Sequence, residues 1–190
     1  MENLAAEGQC PPFLLVMPDV NVRPQEGTPT HRSLFNNIMH YSRLCHDHNI
    51  ERSLVDLTAF IDSTFSVSDQ RYIAGLSDGA RLAANTANLM PDYFGAVGLF
   101  SPVVHKDQLP VTGNPSPVTH YYIYSGKTDM FHNNAKRFNR RMTKAQVPHT
   151  YTETIGGHTW RNWRLYLSDY MVKLKMSPVQ YRTHFQNQVK

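Results

Sequence analysis

YIAGLSDGARLAAN, Tyr72 to Asn85, changes character at its serine. Before Ser77 the chain reads as a short strand at Arg71–Ala74; after it, Ala80–Leu89 reads as an Ala- and Leu-rich helix stopped at Pro91. Gly75, Leu76, Ser77, Asp78 and Gly79 therefore form a Gly-x-Ser-x-Gly turn between a strand and a helix. Such a turn forces the serine into a strained backbone conformation, and flanking glycines keep neighbouring Cβ atoms out of the way. The hydroxyl then stands clear at a helix N-terminus, where free N–H groups favour a developing oxyanion; the backbone N–H of Asp78 is one such donor. The competing reading is an ordinary serine in a Gly-punctuated loop.

Outward from this turn, strand-like and helix-like segments alternate. PPFLLVMPD (Pro11–Asp19) is a continuous apolar run bounded by prolines, as expected of a strand buried on both faces. Gly95–Val103, His120–Gly126 and His149–Ile155 read as further strands, and apolar residues at three and four spacing predict helices at Asn36–His48 and Ser53–Phe65. Two more helices are expected at Asn133–Ala145 and Thr159–Lys175. Alternation of this kind predicts an α/β sandwich, a mostly parallel sheet with helices on both faces. The chain is expected to form a single domain over residues 1–190, with 1–10 and 177–190 loosely held.

The 190 residues are 41% hydrophobic and 11% aromatic, enough for one sizeable core. The net charge of +4 comes from scattered basic residues; the densest cluster, Lys136, Arg137, Arg140, Arg141 and Lys144, has helical spacing and reads as a solvated helix face. No nucleic-acid partner is expected. Two cysteines, Cys10 and Cys45, are too few for a disulfide framework. No apolar run approaches the roughly 20 residues that span a bilayer, and the first residues lack the pattern of a secretory signal. No membrane partner is expected either, and the expected location is cytoplasmic, or outside the cell if a leader has been removed.

A serine hydroxyl is a weak nucleophile and needs a base held by a third group, in the order Ser, Asp/Glu, His for this type of turn. Asp129 follows the strand HYYIYSG, and His158 follows HTYTETI with two glycines between. Both fall just past C-terminal strand ends, where open α/β sheets gather their functional residues. His132, three residues from Asp129, is the best rival base. His46 and His48 flank Asp47, but residues two apart on a helix face different ways, so no metal site is expected. Asp19, at the end of the first strand, could orient substrate. Trp160 and Trp163 are either anchors of the last helix or walls for a substrate, with Trp160 the better wall.

These residues resemble the α/β-hydrolase esterases of the esterase D, enterochelin esterase and feruloyl esterase type. The resemblance rests on FLLVMPD, LTAFIDSTFSVSDQRYIAGLSDGA, MPDYFGAVGLFSPV, YYIYSGKTD and VPHTYTETIGGHTWRNWRLYL, and runs from about Pro11 to Leu174. It implies Ser77 as nucleophile, Asp129 as the orienting acid and His158 as general base and then acid, the same three that spacing selects. It also implies an ester hydrolase working through an acyl-enzyme, with no cofactor. Two departures stand out: Asp78 and Ala80 occupy positions usually held by a small or apolar residue and a glycine, and the family's first strands, with the turn supplying a second oxyanion N–H, are missing. A homodimer would cover the sheet edge so exposed. A weakly active or non-catalytic protein with an incomplete oxyanion hole, and an acyltransferase using the same three residues, are the alternatives. The tryptophans and the tyrosine-rich strand fit aromatic acyl esters of polysaccharide, and the basic balance fits an anionic siderophore or a glutathione thioester.

Overall fold

The computed structural model describes residues 2–10, 12–18, 49–103 and 119–176. Its elements in chain order are helices α1 (Glu2–Ala6) and α2 (Asn49–Thr64), strand β1 (Tyr72–Leu76), helix α3 (Asp78–Leu89) and strands β2 (Ala96–Phe100) and β3 (His120–Gly126). Helix α4 (His132–Lys144), strand β4 (His149–Thr154) and helix α5 (Trp160–Met176) complete them. The strands form one all-parallel sheet in the order β1-β2-β3-β4.

Strand side chains alternate between two cores. Val97, Leu99, Tyr121 and Ile123 face Ala80, Ala83, Ala84 and Ala87 of α3 and Phe138 and Met142 of α4. Ala96, Phe100, Tyr122 and Tyr124 face Tyr166, Tyr170, Met171 and Leu174 of α5, with Leu4 and Ala5 of α1 against them. A sheet that grows in one direction by crossovers of one hand must carry its connecting helices on one face, and α3 and α4 share that face. Helix α5, leaving the last strand, closes the other. Two apolar faces on every central strand explain why these segments read as continuous hydrophobic runs.

Register determines where the chemistry sits. Leu76 pairs with Phe100, Phe100 with Tyr124, and Gly126 with Thr154, so the C-terminal strand ends lie side by side. The loops leaving them carry Ser77, Ser101, Asp129 and His158 on one edge of the sheet.

One expected strand is not there. Within Pro11–Asp19, residues 12–18 have no regular structure, and Phe13 to Met17 are 38 to 81% exposed. A strand is a paired object, and among the described residues none takes up this run's N–H and C=O groups. Helix α2 begins at Asn49, ahead of the expected Ser53, and its first turn carries the fully buried Glu51, a polar core position that an apolar pattern does not register. The basic cluster does lie on α4, opposite the buried Ala135, Phe138 and Met142. The expected helix at Asn36–His48, the His46–His48 pair, Asp19, Cys45 and residues 177–190 lie outside the described residues. Among the described residues no helix is long and apolar enough to cross a membrane.

Candidate active site

Ser77 sits where β1 becomes α3, at φ 54° and ψ −118°. A positive φ is costly for a residue with a Cβ and persists only where surroundings enforce it. Here Ser77 N–H donates to Phe100 O (2.9 Å), and Ser77 O accepts from Ala80 N (3.2 Å) and Val103 N (3.4 Å). Gly75 makes the turn possible, because a Cβ there would collide with the carbonyl of Gly79. Gly79 itself is different: among the described residues nothing lies within 4 Å of where its Cβ would be, so the second glycine is not there for lack of room.

Serine is a favoured helix N-cap, yet the Ser77 hydroxyl makes no capping bond. It lies instead 3.0 Å from His158 Nε2. On the far side of the ring, His158 Nδ1 is 3.1 Å from both carboxylate oxygens of Asp129. The sheet edge thus brings Ser77, His158 and Asp129 into one hydrogen-bonded row. The Asp129 side chain is fully buried and that of His158 15% exposed, while Ser77 is half-buried, so the row is open to water at its Ser77–His158 end and closed at the carboxylate.

Each member is held by its loop. Asp129 Oδ1 accepts the Phe131 N–H at 2.8 Å, and Asp129 N–H bonds to Gly126 O at 3.1 Å. Lys127 N–H donates to Thr154 O and Thr128 N–H to Gly156 O, tying the Asp129 loop to the His158 loop. Gly156, at φ 98°, turns the chain sharply two residues before His158. From the start of α5, buried Asn162 donates to Ile155 O at 2.9 Å and to Tyr166 Oη at 2.9 Å, fixing the same loop from below. Burial alone would push the Asp129 carboxyl up; hydrogen bonds from His158, Ser101 and the Phe131 N–H, with the attraction of His158, outweigh it and hold the group below its ordinary value.

Aromatic rings enclose the imidazole. The Phe131 ring lies 5.0 Å from it at 67° and the Trp163 ring 4.9 Å from it at 90°. Trp160 stands edge-on to Trp163 at 5.2 Å and is 65% exposed. Trp163 is therefore a wall of the imidazole, with its indole N–H bonded to Ser101 Oγ at 3.0 Å, while Trp160 faces solvent beside it. His132 is not brought to Ser77: its Nε2 is 3.3 Å from Glu153 and its Nδ1 3.4 Å from Ser125 Oγ.

Asp78, the acid beside the serine, is taken up by its own helix. Arg81 Nε is 2.7 Å from Asp78 Oδ1 and Nη2 3.2 Å from Oδ2. The same guanidinium reaches Glu51 Oε1 of α2 at 3.2 Å, and Asn85 donates to that oxygen at 2.8 Å. Asp78 thus turns its charge toward a buried arginine, while its N–H, in the first turn of α3, is one of those left over at every helix start. Sequence reading missed Ser101, Phe131, Arg81 and Asn162. A signal existed only for Ser101, which immediately follows β2, and for Arg81, three residues from Asp78 on a helix. Among the described residues no group of three or more His, Cys, Asp or Glu side chains is placed to hold a metal.

Comparison with known proteins agrees with this architecture. Among solved structures, the CE1 ferulic acid esterase of Anaeromyces mucronatus is similar over 90% of this chain and 67% of its own, with TM-score 0.68 and 19% identity. The S-formylglutathione hydrolase of Staphylococcus aureus is similar over 74% of this chain and 66% of its own (TM-score 0.59, 16% identity). The enterobactin esterase of Shigella flexneri is similar over 90% of this chain and 46% of its own (TM-score 0.60, 16% identity). The chain spans about half to two thirds of the length of these three structures. No curated protein matches it. The architecture is an α/β-hydrolase fold, and a family profile described as "Putative esterase" matches residues 2–174. The chain belongs to that esterase family.

Proposed function

We propose that the protein is a serine carboxylic ester hydrolase with Ser77, His158 and Asp129 as its catalytic triad. The observation that carries this reading is the row itself, with Oγ to Nε2 at 3.0 Å and Nδ1 to carboxylate at 3.1 Å, on a serine whose hydroxyl is not used as a helix cap. Asp129 holds the imidazole in the tautomer with hydrogen on Nδ1 and stabilises the imidazolium. His158 Nε2 takes the Ser77 proton as Oγ attacks the ester carbonyl, and the oxyanion forms against the Asp78 N–H at the positive end of α3. The tetrahedral intermediate collapses to an acyl-Ser77, and His158 returns the proton to the leaving alcohol. Water, deprotonated by the same imidazole, then releases the acid.

Exposed Trp160 is proposed as an apolar wall for the acyl group, edge-on to Trp163, which in turn packs against the imidazole. One relative is solved with ferulic acid, an aromatic acid, which supports an aromatic acyl substrate for this site. Incubation with a fluorophosphonate probe is expected to modify Ser77, and p-nitrophenyl acetate hydrolysis is expected to vanish in Ser77→Ala. A folded protein that takes no label at Ser77 overturns the reading. Acyl transfer to an added alcohol in preference to water would make it a transferase with the same triad.

A further inference from the structure

In the proposed reaction the oxyanion forms against the N–H of Asp78, a residue that carries a carboxylate of its own. A negative charge in the first turn of α3 favours the helix, because it offsets the positive end of the helix dipole. For the reaction the same charge is adverse, since the developing oxyanion draws on that positive end. Side chain and N–H belong to one residue, so the carboxylate stays close to the oxyanion position. Arg81, one turn along α3, places a cation on it. The guanidinium closes on both Asp78 oxygens, Nε to Oδ1 at 2.7 Å and Nη2 to Oδ2 at 3.2 Å, the two-pronged geometry that sets arginine apart from a point charge. The Arg81 side chain is 2% exposed and that of Asp78 38%. The third nitrogen, Nη1, meets Glu51 Oε1 of α2 at 3.2 Å, and Asn85 donates to the same oxygen at 2.8 Å. The guanidinium is thereby anchored from α2 with its fork held on Asp78.

We propose that Arg81 is a positioning residue of the ester hydrolase: it neutralises the Asp78 carboxylate and holds it on the guanidinium, so that the Asp78 N–H meets the oxyanion without a competing anion beside it. The inference rests on the triad reading of the same site. The oxyanion exists only in the tetrahedral species, so the benefit is confined to the transition states and appears in kcat rather than in KM. Glu51 and Asn85 have a separate part. An arginine buried against one half-exposed partner would be costly, and a second carboxylate, itself supported by an amide, keeps the guanidinium in place. The competing reading of the same contacts is that Arg81 only fastens α2 to α3. Asp78 has no part in that fastening, which is what separates the two.

The test uses a Glu51→Gln background, in which an amide oxygen still accepts from Asn85 and no buried acid is stranded when the guanidinium goes. There, Arg81→Gln is expected to lower kcat for p-nitrophenyl acetate roughly tenfold, with KM little changed. Adding Asp78→Asn is expected to restore most of that loss, because no charge is left to be neutralised. The urea midpoint is not expected to recover with it, since an acid at a helix start favours the fold. In the otherwise wild-type protein, Asp78→Asn alone is expected to raise kcat, the Arg81 charge then being offset less beside the oxyanion. Two results overturn the proposal and leave Ser77 as the nucleophile: no fall in kcat with Arg81→Gln, or a fall that Asp78→Asn leaves in place or restores only together with the urea midpoint. If the Glu51 and Arg81 substitutions together prevent folding, Asp78→Asn alone decides, and a kcat at or below the wild-type value overturns the proposal. A wild-type protein that neither hydrolyses the ester nor takes the fluorophosphonate label fails the triad reading, and this inference falls with it.

Discussion

At the residue scale, the site depends on a carboxylate kept ionised inside the protein. Asp129 is buried, which works against its charge, and three hydrogen-bond donors reverse that penalty. A group whose folded pKa lies below its unfolded value contributes stability above the unfolded value and loses it as pH falls through the folded one. Asp129 therefore stabilises the fold at neutral pH, and this contribution fades once pH drops below the ordinary carboxylate value of about 4. Asp129→Asn tests both roles at once. The amide cannot hold the imidazole in the working tautomer, so kcat is expected to fall roughly 10³- to 10⁴-fold. Its urea midpoint should lie below the wild-type value at neutral pH, with the gap closing as both are acidified. A gap that widens in acid would place the sign of the Asp129 shift the other way. Asp129 and His158 could be picked out of the sequence because each follows a strand end by a few residues. Ser101 follows one too, but a serine has no chemical signature until the indole whose N–H it accepts is brought to it by folding.

At the scale of single elements, the strand–turn–helix of β1 and α3 shows which parts of a motif are physical requirements. Gly75 is one, since its Cβ would meet the Gly79 carbonyl and push the turn open. Gly79 is not sterically required among the described residues, although the sequence pattern treats the two glycines alike. Gly79→Ala lies in the first turn of α3, where alanine is the better helix former by up to about 1 kcal/mol. This variant is expected to keep its activity and to unfold at the same or a slightly higher urea concentration. Gly75→Ala is expected to be destabilised by several kcal/mol and to lose fluorophosphonate labelling, because the displaced turn carries Ser77 with it. Equal damage from both substitutions would show that the open space beside Gly79 is filled in solution. The sequence pattern reveals that a tight turn exists; which atoms collide in it depends on the packing of α3 against β1. The Asp78–Arg81–Glu51 chain has the same origin, because Glu51 is 30 residues from Arg81 and nothing local signals that α2 will lie against α3.

At the scale of the whole molecule, two apolar runs of similar composition end in opposite surroundings. AVGLF of β2 is buried at every position, between β1 and β3 in the ladder and between α3 and α5 across the faces. FLLVM, residues 13 to 17, has no such neighbours among the described residues and stands at the surface. Periodicity cannot separate these cases, because hydrophobic sequence reports what a strand would do once flanked, and the flanks are long-range partners. The same limit hides the order of the sheet, which only the registers reveal. Substitution makes the difference measurable. Leu99→Ala, at a fully buried position, is expected to cost 2 to 5 kcal/mol, roughly, in urea unfolding, from lost transfer energy and the cavity left behind. Met17→Ser, at a position 81% exposed, is expected to change stability by less than about 0.5 kcal/mol. A cost for Met17→Ser comparable with that of Leu99→Ala would mean that residues 13 to 17 are covered in solution and belong to the core after all. A near-zero cost, with activity intact, would mean that the sheet from β1 to β4 and its helices carry the stability without this run.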